Sequence, residues 1–212
     1  MLEQGNIEKV SFSAEKISES FISFIDDGFD VIALTSSCAL MMKYEWPLIL
    51  PENESVKLLS QNTYDIDEYL VDISKKEGLV DGMKPLDGGI SLHLACHSRA
   101  QNMGAKSNEL LKLIPEADIS IVERCSGHGG TFGVLTPTHD LARKVGKPAA
   151  RMVAKADPSY VISSCPLASK HLSQITKEDV IKDKKSKSIR SGHPIELMAV
   201  SYGFLKKDEM SE

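Results

Sequence analysis

The sequence lacks long apolar runs. Nowhere do eighteen apolar residues follow one another, which excludes a membrane-spanning helix by hydropathy. The start, Met1-Leu2-Glu3-Gln4-Gly5, has no basic stretch leading into an apolar one, so no signal peptide is expected. Positive charge is not in excess. Lys and Arg number 25 against 30 Asp and Glu, a net charge of −5, which argues against nucleic acid as a partner. Cysteine is scarce, at four residues, and none forms a Cys-x-x-Cys pair, because Met41 and Ala168 occupy the closing positions after Cys38 and Cys165. A zinc-finger or thioredoxin-type local motif is therefore excluded. The phosphate-binding pattern Gly-x-x-x-x-Gly-Lys-Ser/Thr is absent. The dinucleotide pattern Gly-x-Gly-x-x-Gly fails at Phe132, where its last glycine would fall.

What is present describes an ordinary globular chain: 212 residues, 42% hydrophobic and 26% charged, enough for one large domain or two small ones. Without export the expected location is cytoplasmic. There thiols stay reduced, and four cysteines point to metal or catalysis before disulfides. Each cysteine follows a short β-branched run. Val31–Leu34 leads to Cys38, Ile90–Ala95 to Cys96, Ile119–Arg124 to Cys125 and Tyr160–Ser164 to Cys165. Such runs read as buried strands, and open α/β sheets bind ligands beyond the carboxyl ends of their strands. Four thiols at four such ends suit a soft metal or an iron–sulfur cluster. The competing reading is four buried cysteines acting as small hydrophobes.

Between these runs the spacing predicts helices over Ser13–Asp27, with Ser13 as N-cap and Gly28 just beyond the end, and over Ala39–Trp46, stopped by Pro47. Leu50-Pro51-Glu52-Asn53 breaks the composition. Helices are then expected over Glu54–Gln61 and Asp65–Lys76, the second opened by a capping box, Asp65-x-x-Glu68. Further helices are expected over Lys106–Ile114, from Thr138 with a break at Gly146-Lys147-Pro148, from Pro166, and from His193. Strand alternating with helix gives an α/β parallel sheet. The charge-rich stretch Lys177–Arg190 reads as a solvated loop and the last residues as frayed. One internal repeat joins Val31–Lys43 to Val161–Lys170. Both read strand, Ser-Ser-Cys, then helix.

Several residues around the cysteines carry chemistry. In Cys96-His97-Ser98-Arg99, Arg99 can lower a thiol pKa or offset thiolate charge. His97 can ligate, shuttle a proton or cap a carbonyl. In Cys125-Ser126-Gly127-His128-Gly129-Gly130, glycines let backbone N–H groups form an anion-binding nest that can bond cluster sulfurs. His128 can pair with Cys125 in a thiol nucleophile. Cys165 precedes a helix N-terminus, where the dipole favours thiolate. His93, His139, His171 and His193 have no partner spacing and read as structural.

The motifs His93-Leu94-Ala95-Cys96-His97-Ser98-Arg99-Ala100-Gln101-Asn102, Ile121–Thr131 with Glu123-Arg124-Cys125-Ser126-Gly127-His128-Gly129-Gly130, and Ser164-Cys165-Pro166-Leu167-Ala168 resemble the cysteine-rich CCG domain. That family includes heterodisulfide reductase and glycolate oxidase iron–sulfur subunits. Most similar in pattern is the CCG-bearing iron–sulfur subunit of anaerobic glycerol-3-phosphate dehydrogenase. The resemblance runs from about Ser13 onward and covers three motifs in order. It implies a Rossmann-like α/β fold. Residues 1–50 would be the last strand–helix unit of a preceding CCG domain, and 51–212 a second one with a C-terminal helix. It also implies an iron–sulfur cluster, of the 4Fe–4S type. Cys96, Cys125 and Cys165 fall on ligand positions, and Cys38 on the closing motif of the preceding domain. Gly127, His128, Gly129, Gly130, Arg99 and His97 would surround the cluster. The implied function is an iron–sulfur electron-transfer component of a dehydrogenase complex. It would pass electrons from a flavin subunit toward a quinone or another acceptor, beside a ferredoxin-like domain or subunit, and touch the inner face of a membrane through its partners. The chain departs from the pattern where the doubled cysteine is Cys125-Ser126 and where Ala168 replaces the last cysteine. Alternatives from other classes are a zinc-binding or metal-free docking module and a Cys125–His128 thiol enzyme.

Overall fold

The computed structural model describes residues 5–181 and 188–211. The first helix, α1 (Ile7–Asp26), starts seven residues earlier than the Ser13 cap would place it. Asn6 is the N-cap, accepting from the Lys9 N–H at 3.2 Å, and Ser13 lies inside the helix. The far end matches expectation, with Gly28 at φ 88°. Strand β1 (Val31–Ala33) follows, then α2 (Ser36–Leu40), a π-helical turn over Met41–Glu45, and α3 (Trp46–Ile49). Pro47 does not stop this helix. It sits in the first turn of α3, where a missing N–H costs nothing, and the π turn carries the chain into it through Trp46 N–H to Met41 O. Trp46 is buried with Val10, Ala14, Val31, Val56 and Leu59 in a small core.

α4 (Glu54–Gln61) spans the expected residues, and a strand with no apolar signature, β2 (Thr63–Asp65), pairs in parallel with β1. The composition break at Leu50-Pro51 thus lies inside the first packing unit, between α3 and α4. Asp65 caps α5 (Ile66–Lys76) through the Asp67 N–H at 3.0 Å. Glu68 is drawn away from that cap to the Lys43 ammonium, 2.6 Å distant.

The larger sheet is four parallel strands in the order β4-β3-β5-β6. They are β3 (Ile90–His93), β4 (Ile119–Val122), β5 (Tyr160–Ser163) and β6 (Arg190–Gly192). Side chains alternate across it. Ile90, Leu92, Tyr160 and Ile162 bury one face with Leu110 and Leu111 of α7 (Lys106–Leu111), Leu197 of α10 (Pro194–Tyr202) and Val71 of α5. Val122 and Val161 bury the other face with Ala149 and Val153 of α8 (Thr136–Ala156) and Leu172 of α9 (Pro166–Ile175). Helices on both faces of a parallel sheet make this a Rossmann-like α/β architecture.

The chain departs from three further expectations. α8 runs unbroken through Gly146-Lys147-Pro148. An interior proline costs about 3 kcal/mol, and the wholly buried Ala149, Ala150 and Val153 just beyond it outweigh that cost. The charge-rich stretch is not simply a solvated loop. Thr176–Ile181 continues α9 as a π-helical segment, with Asp179 and Glu178 on Arg143 at 2.7 and 2.8 Å, and Ile189 is buried before β6. Residues 182–187 of that stretch lie outside the described ones. The C-terminus is tied down rather than frayed, since Met210 is buried and the Ser191 N–H donates to Ser211 O at 2.7 Å.

One buried carboxyl makes folding depend on pH. Burial pushes Asp67 up to about 7, only partly offset by the Ser107 hydroxyl that donates to it, and Asp65 adds repulsion. Between the ordinary carboxylate range and 7 the folded chain keeps a proton that the unfolded chain has lost. This contribution to stability is therefore complete in acid and is lost as pH rises toward 7. Asp67→Asn is expected to raise the urea midpoint at pH 8, by more than ~1 kcal/mol in stability, and to leave it nearly unchanged at pH 4. An equal effect at both pH values would contradict this.

Candidate metal centre

The three strands β4, β3 and β5 are neighbours in one register. His93 stands beside Val122 on one side and Ser163 on the other. Cys96 comes three residues after His93, Cys125 three after Val122, and Cys165 two after Ser163. All three thiols therefore leave the same rim of one sheet at nearly the same height. Chain order reverses at β3, which connects outward to β4 and is then crossed to β5. The crevice beyond the carboxyl ends at such a reversal is where open α/β sheets bind ligands. Cys96 opens the short helix α6 (Cys96–Ala100), and Cys165 is the N-cap of α9.

The fourth thiol arrives from the smaller sheet. Cys38 lies in α2, which packs on α6. Ser36, at the start of α2, reaches the Ser164 carbonyl beside Cys165 at 3.5 Å, and its own carbonyl accepts from the Gln101 amide at 3.3 Å. That amide also donates to Asp65 at 3.0 Å, and the Tyr44 hydroxyl donates to Gln101 O at 3.2 Å. The two Ser-Ser-Cys repeats thus meet at Ser36 and Ser164. Cys38, Cys96 and Cys125 are exposed and Cys165 is half-exposed. The reading of four sealed hydrophobes does not hold.

The glycine loop folds on itself more than a nest would. The Gly127 N–H bonds Cys125 Sγ at 3.3 Å, while the N–H groups of Phe132 and Gly133 turn back to Gly129 O and His128 O. Gly127 has φ 79°, and a side chain there would collide with the Ala142 carbonyl of α8. Gly146 sits equally close to the Ser126 carbonyl. α8 and the Cys125 loop interlock through these two glycines, which fixes where Cys125 stands. His97 and Arg99 are exposed on α6, with Arg99 beside Glu123 in a shallow cleft. His128 is buried, its ring 5.8 Å from that of His171. His93 is structural as expected. Its ring lies between Ser163 Oγ and the Arg124 carbonyl, both at 3.1 Å, and burial pushes its pKa down. His193 caps α10, accepting from the Ile195 N–H, and burial lowers its pKa to about 4.

Among the described residues no group of three or more Cys, His, Asp and Glu side chains is set closely enough to hold a single metal ion. The thiols that leave this rim lie on separate elements: Cys38 in α2, Cys96 at the start of α6, Cys125 on the glycine loop and Cys165 at the cap of α9.

Residues 90–172, which contain β3 to α9 up to Leu172 and three of the four cysteines, match the family model of the cysteine-rich CCG domain. The chain carries a CCG domain. It is similar to an uncharacterized iron–sulfur protein of Methanocaldococcus jannaschii, with 36% identity over 64% of this chain and 27% of that one. It is also similar to one of the subunits of fumarate reductase (CoM/CoB) from Methanothermobacter marburgensis, with 27% identity over 83% of this chain and 33% of that one. One of the subunits of anaerobic glycerol-3-phosphate dehydrogenase from Escherichia coli is 25% identical over 81% of this chain and 40% of its own length. The chain spans between about a quarter and two-fifths of these relatives. No helix among the described residues is long and apolar enough to cross a membrane.

Sequence reasoning missed that Gln101 and Asp65 dock the smaller sheet on the CCG domain, because Gln101 meets Ser36 and Asp65 across 65 and 36 residues. It also missed that His128, His139 and His171 meet, because they come from a loop and two helices with no shared spacing. The interlock predicts that Gly127→Ala costs at least ~2 kcal/mol, from a strained φ plus a backbone collision. Urea denaturation measures this, and an unchanged midpoint would mean that the loop is not held against α8.

Proposed function

We propose that this chain is an iron–sulfur electron-transfer component of a dehydrogenase or reductase complex. The observation that carries the reading is the exit of Cys96, Cys125 and Cys165 from three adjacent parallel strands at one register, with their thiols open to solvent in whole or in part. Docking of α2 on α6 brings Cys38 to the same rim. The donor set fits a cluster better than a lone ion. A single zinc needs its ligands in one tight tetrahedron, whereas the thiolates of an iron–sulfur cluster bond different irons and stand farther apart. Cys96, Cys125, Cys165 and Cys38 would hold it, as a 4Fe–4S cluster. When bound, such a cluster takes up and releases single electrons.

The chain's own groups set the conditions for that exchange. The Gly127 N–H withdraws charge from Cys125 Sγ, which favours the reduced state. Arg99, one turn after Cys96, offsets thiolate charge. The positive end of the α9 dipole favours thiolate at its cap, Cys165. The relatives named as reductase and dehydrogenase subunits support a place in a multi-subunit enzyme. In it a flavin subunit would supply electrons, and a ferredoxin-like unit or a quinone would receive them. Residues 5–65, with their own two-stranded sheet and their Ser-Ser-Cys repeat, fit the closing unit of a preceding CCG domain.

Anaerobic isolation of the full chain tests this. The expected product is brown, contains iron and acid-labile sulfide, and bleaches on reduction. Cys96→Ser, Cys125→Ser and Cys165→Ser should each reduce bound iron to a small fraction, with Cys38→Ser showing whether the fourth ligand is intrinsic. Zinc without colour would favour the docking module. A metal-free protein with one rapidly alkylated cysteine would favour the Cys125–His128 thiol enzyme. Either result overturns the electron-transfer reading.

A further inference from the structure

Two exposed faces of the chain carry opposite charge beside apolar side chains. The first is the C-terminal end of α1. There the Phe29 N–H bonds Phe24 O at 3.0 Å, and the Gly28 N–H bonds Ile25 O at 2.9 Å. This closing motif sets the residue after the glycine against the one that opens the last turn, so Phe24 and Phe29 form a pair. Both stay open to solvent, with 56% and 63% of their surface exposed. Asp26, Asp27 and Asp30 are exposed in the same segment, and the last turn of α1 holds no basic residue. Carboxylates are disfavoured at the negative end of a helix dipole. Among the described residues none of the three forms an ion pair with Lys or Arg.

The second face is on α8. Leu141, Val145, Pro148 and Met152 recur at intervals of four, three and four, which makes one stripe along the helix. All four are exposed, and so are Lys144, Arg151 and Lys155, which form a second stripe beside the first. The cations on the other side of α8 are engaged within the chain, Arg143 by Glu178 and Asp179, and Lys147 by Asp179. Among the described residues the outer three meet no carboxylate, although the chain has a net charge of −5. Asp140 is the one acid on this helix. α1 packs on α3 and α4, while α8 packs on β4, α9 and the π-helical segment, so both faces point away from the packing that holds their helices. We propose that the two faces bind each other between copies of this chain. The Phe24–Phe29 pair of one copy seats on the apolar stripe of α8 in the next, with its aspartates against Lys144, Arg151 and Lys155. One contact then removes both apolar surfaces from water and relieves the clustering of like charge at each. An anionic lipid surface would answer the α8 face alone, and it would repel the aspartates and leave the two phenylalanines in water. The contact joins two different surfaces, so a pair of copies still presents one free face of each kind, and association continues until a ring closes.

Sedimentation velocity of the anaerobically isolated full chain at rising concentration tests this. The average mass is expected to climb with concentration in about 0.1 M salt, and to climb less in about 1 M salt, where the Debye length falls from about 10 Å to about 3 Å. Phe24→Ser combined with Asp27→Asn, and Val145→Ser combined with Lys144→Gln, each weaken self-association roughly tenfold or more. All four positions are exposed, so these changes should not disturb folding. A mixture of the two double variants keeps one intact contact, between α1 of the second and α8 of the first. It forms a one-to-one dimer that grows no further. A parent chain that stays monomeric at every concentration, variants that associate as the parent does, or a mixture that stays monomeric would overturn the proposal. So would binding to phosphatidylglycerol vesicles in the absence of self-association, which would assign the α8 face to lipid. Iron content, measured on the same samples, judges the cluster reading separately, so failure of one leaves the other standing.

Discussion

Parallel pairing of β4, β3 and β5 in one register is the constraint on which the rest of the molecule depends. A parallel ladder aligns strand ends, and a slip of one residue would turn each side chain to the opposite face. The pairing is secured by burial on both faces. Ile90, Leu92 and Ile162 face one helical layer, and Val122 and Val161 face the other. With that register fixed, the residues just past the strands have little choice about where they emerge. Cys96, Cys125 and Cys165 follow just beyond those ends, so the same hydrophobic burial that stabilises the sheet also sets where they leave it.

The second constraint is polar. The smaller sheet is held to the CCG domain by a chain of buried groups, from Ser164 through Ser36 and Gln101 to Asp65, and from Asp67 to Ser107. Burying carboxyls is expensive unless they are bonded. Asp65 is satisfied by Gln101 and by the Asp67 N–H. Asp67 has one oxygen without a hydrogen-bond partner, and burial raises its pKa. A polar joint of this kind is more specific than a greasy one, because its partners must all be in place. Its outcome is that α2, and Cys38 with it, is held against α6.

The four cysteine-terminated strands were legible in the sequence because β-branched apolar runs need burial on both faces and leave a strong local mark. β2 and β6 left no such mark. Thr63-Tyr64-Asp65 and Arg190-Ser191-Gly192 become strands only because a neighbour offers them hydrogen bonds. Both misjudged prolines have the same cause. Local rules end a helix at Pro47 and Pro148, yet a π turn before one and a buried small-residue face after the other carry the helix through. The exit of Cys96, Cys125 and Cys165 just past neighbouring strands was legible by pattern. The interlock of Gly127 with α8 and the meeting of three histidines were not, since each joins elements distant in sequence.

Thiols from neighbouring strands, sharing one electron-carrying centre, are what the proposed electron transfer requires. Iron K-edge X-ray absorption of the anaerobically isolated chain tests that most directly. Sulfur-only first coordination with clear iron–iron scattering is the predicted result. Iron surrounded by nitrogen and oxygen, with no second iron nearby, would contradict it.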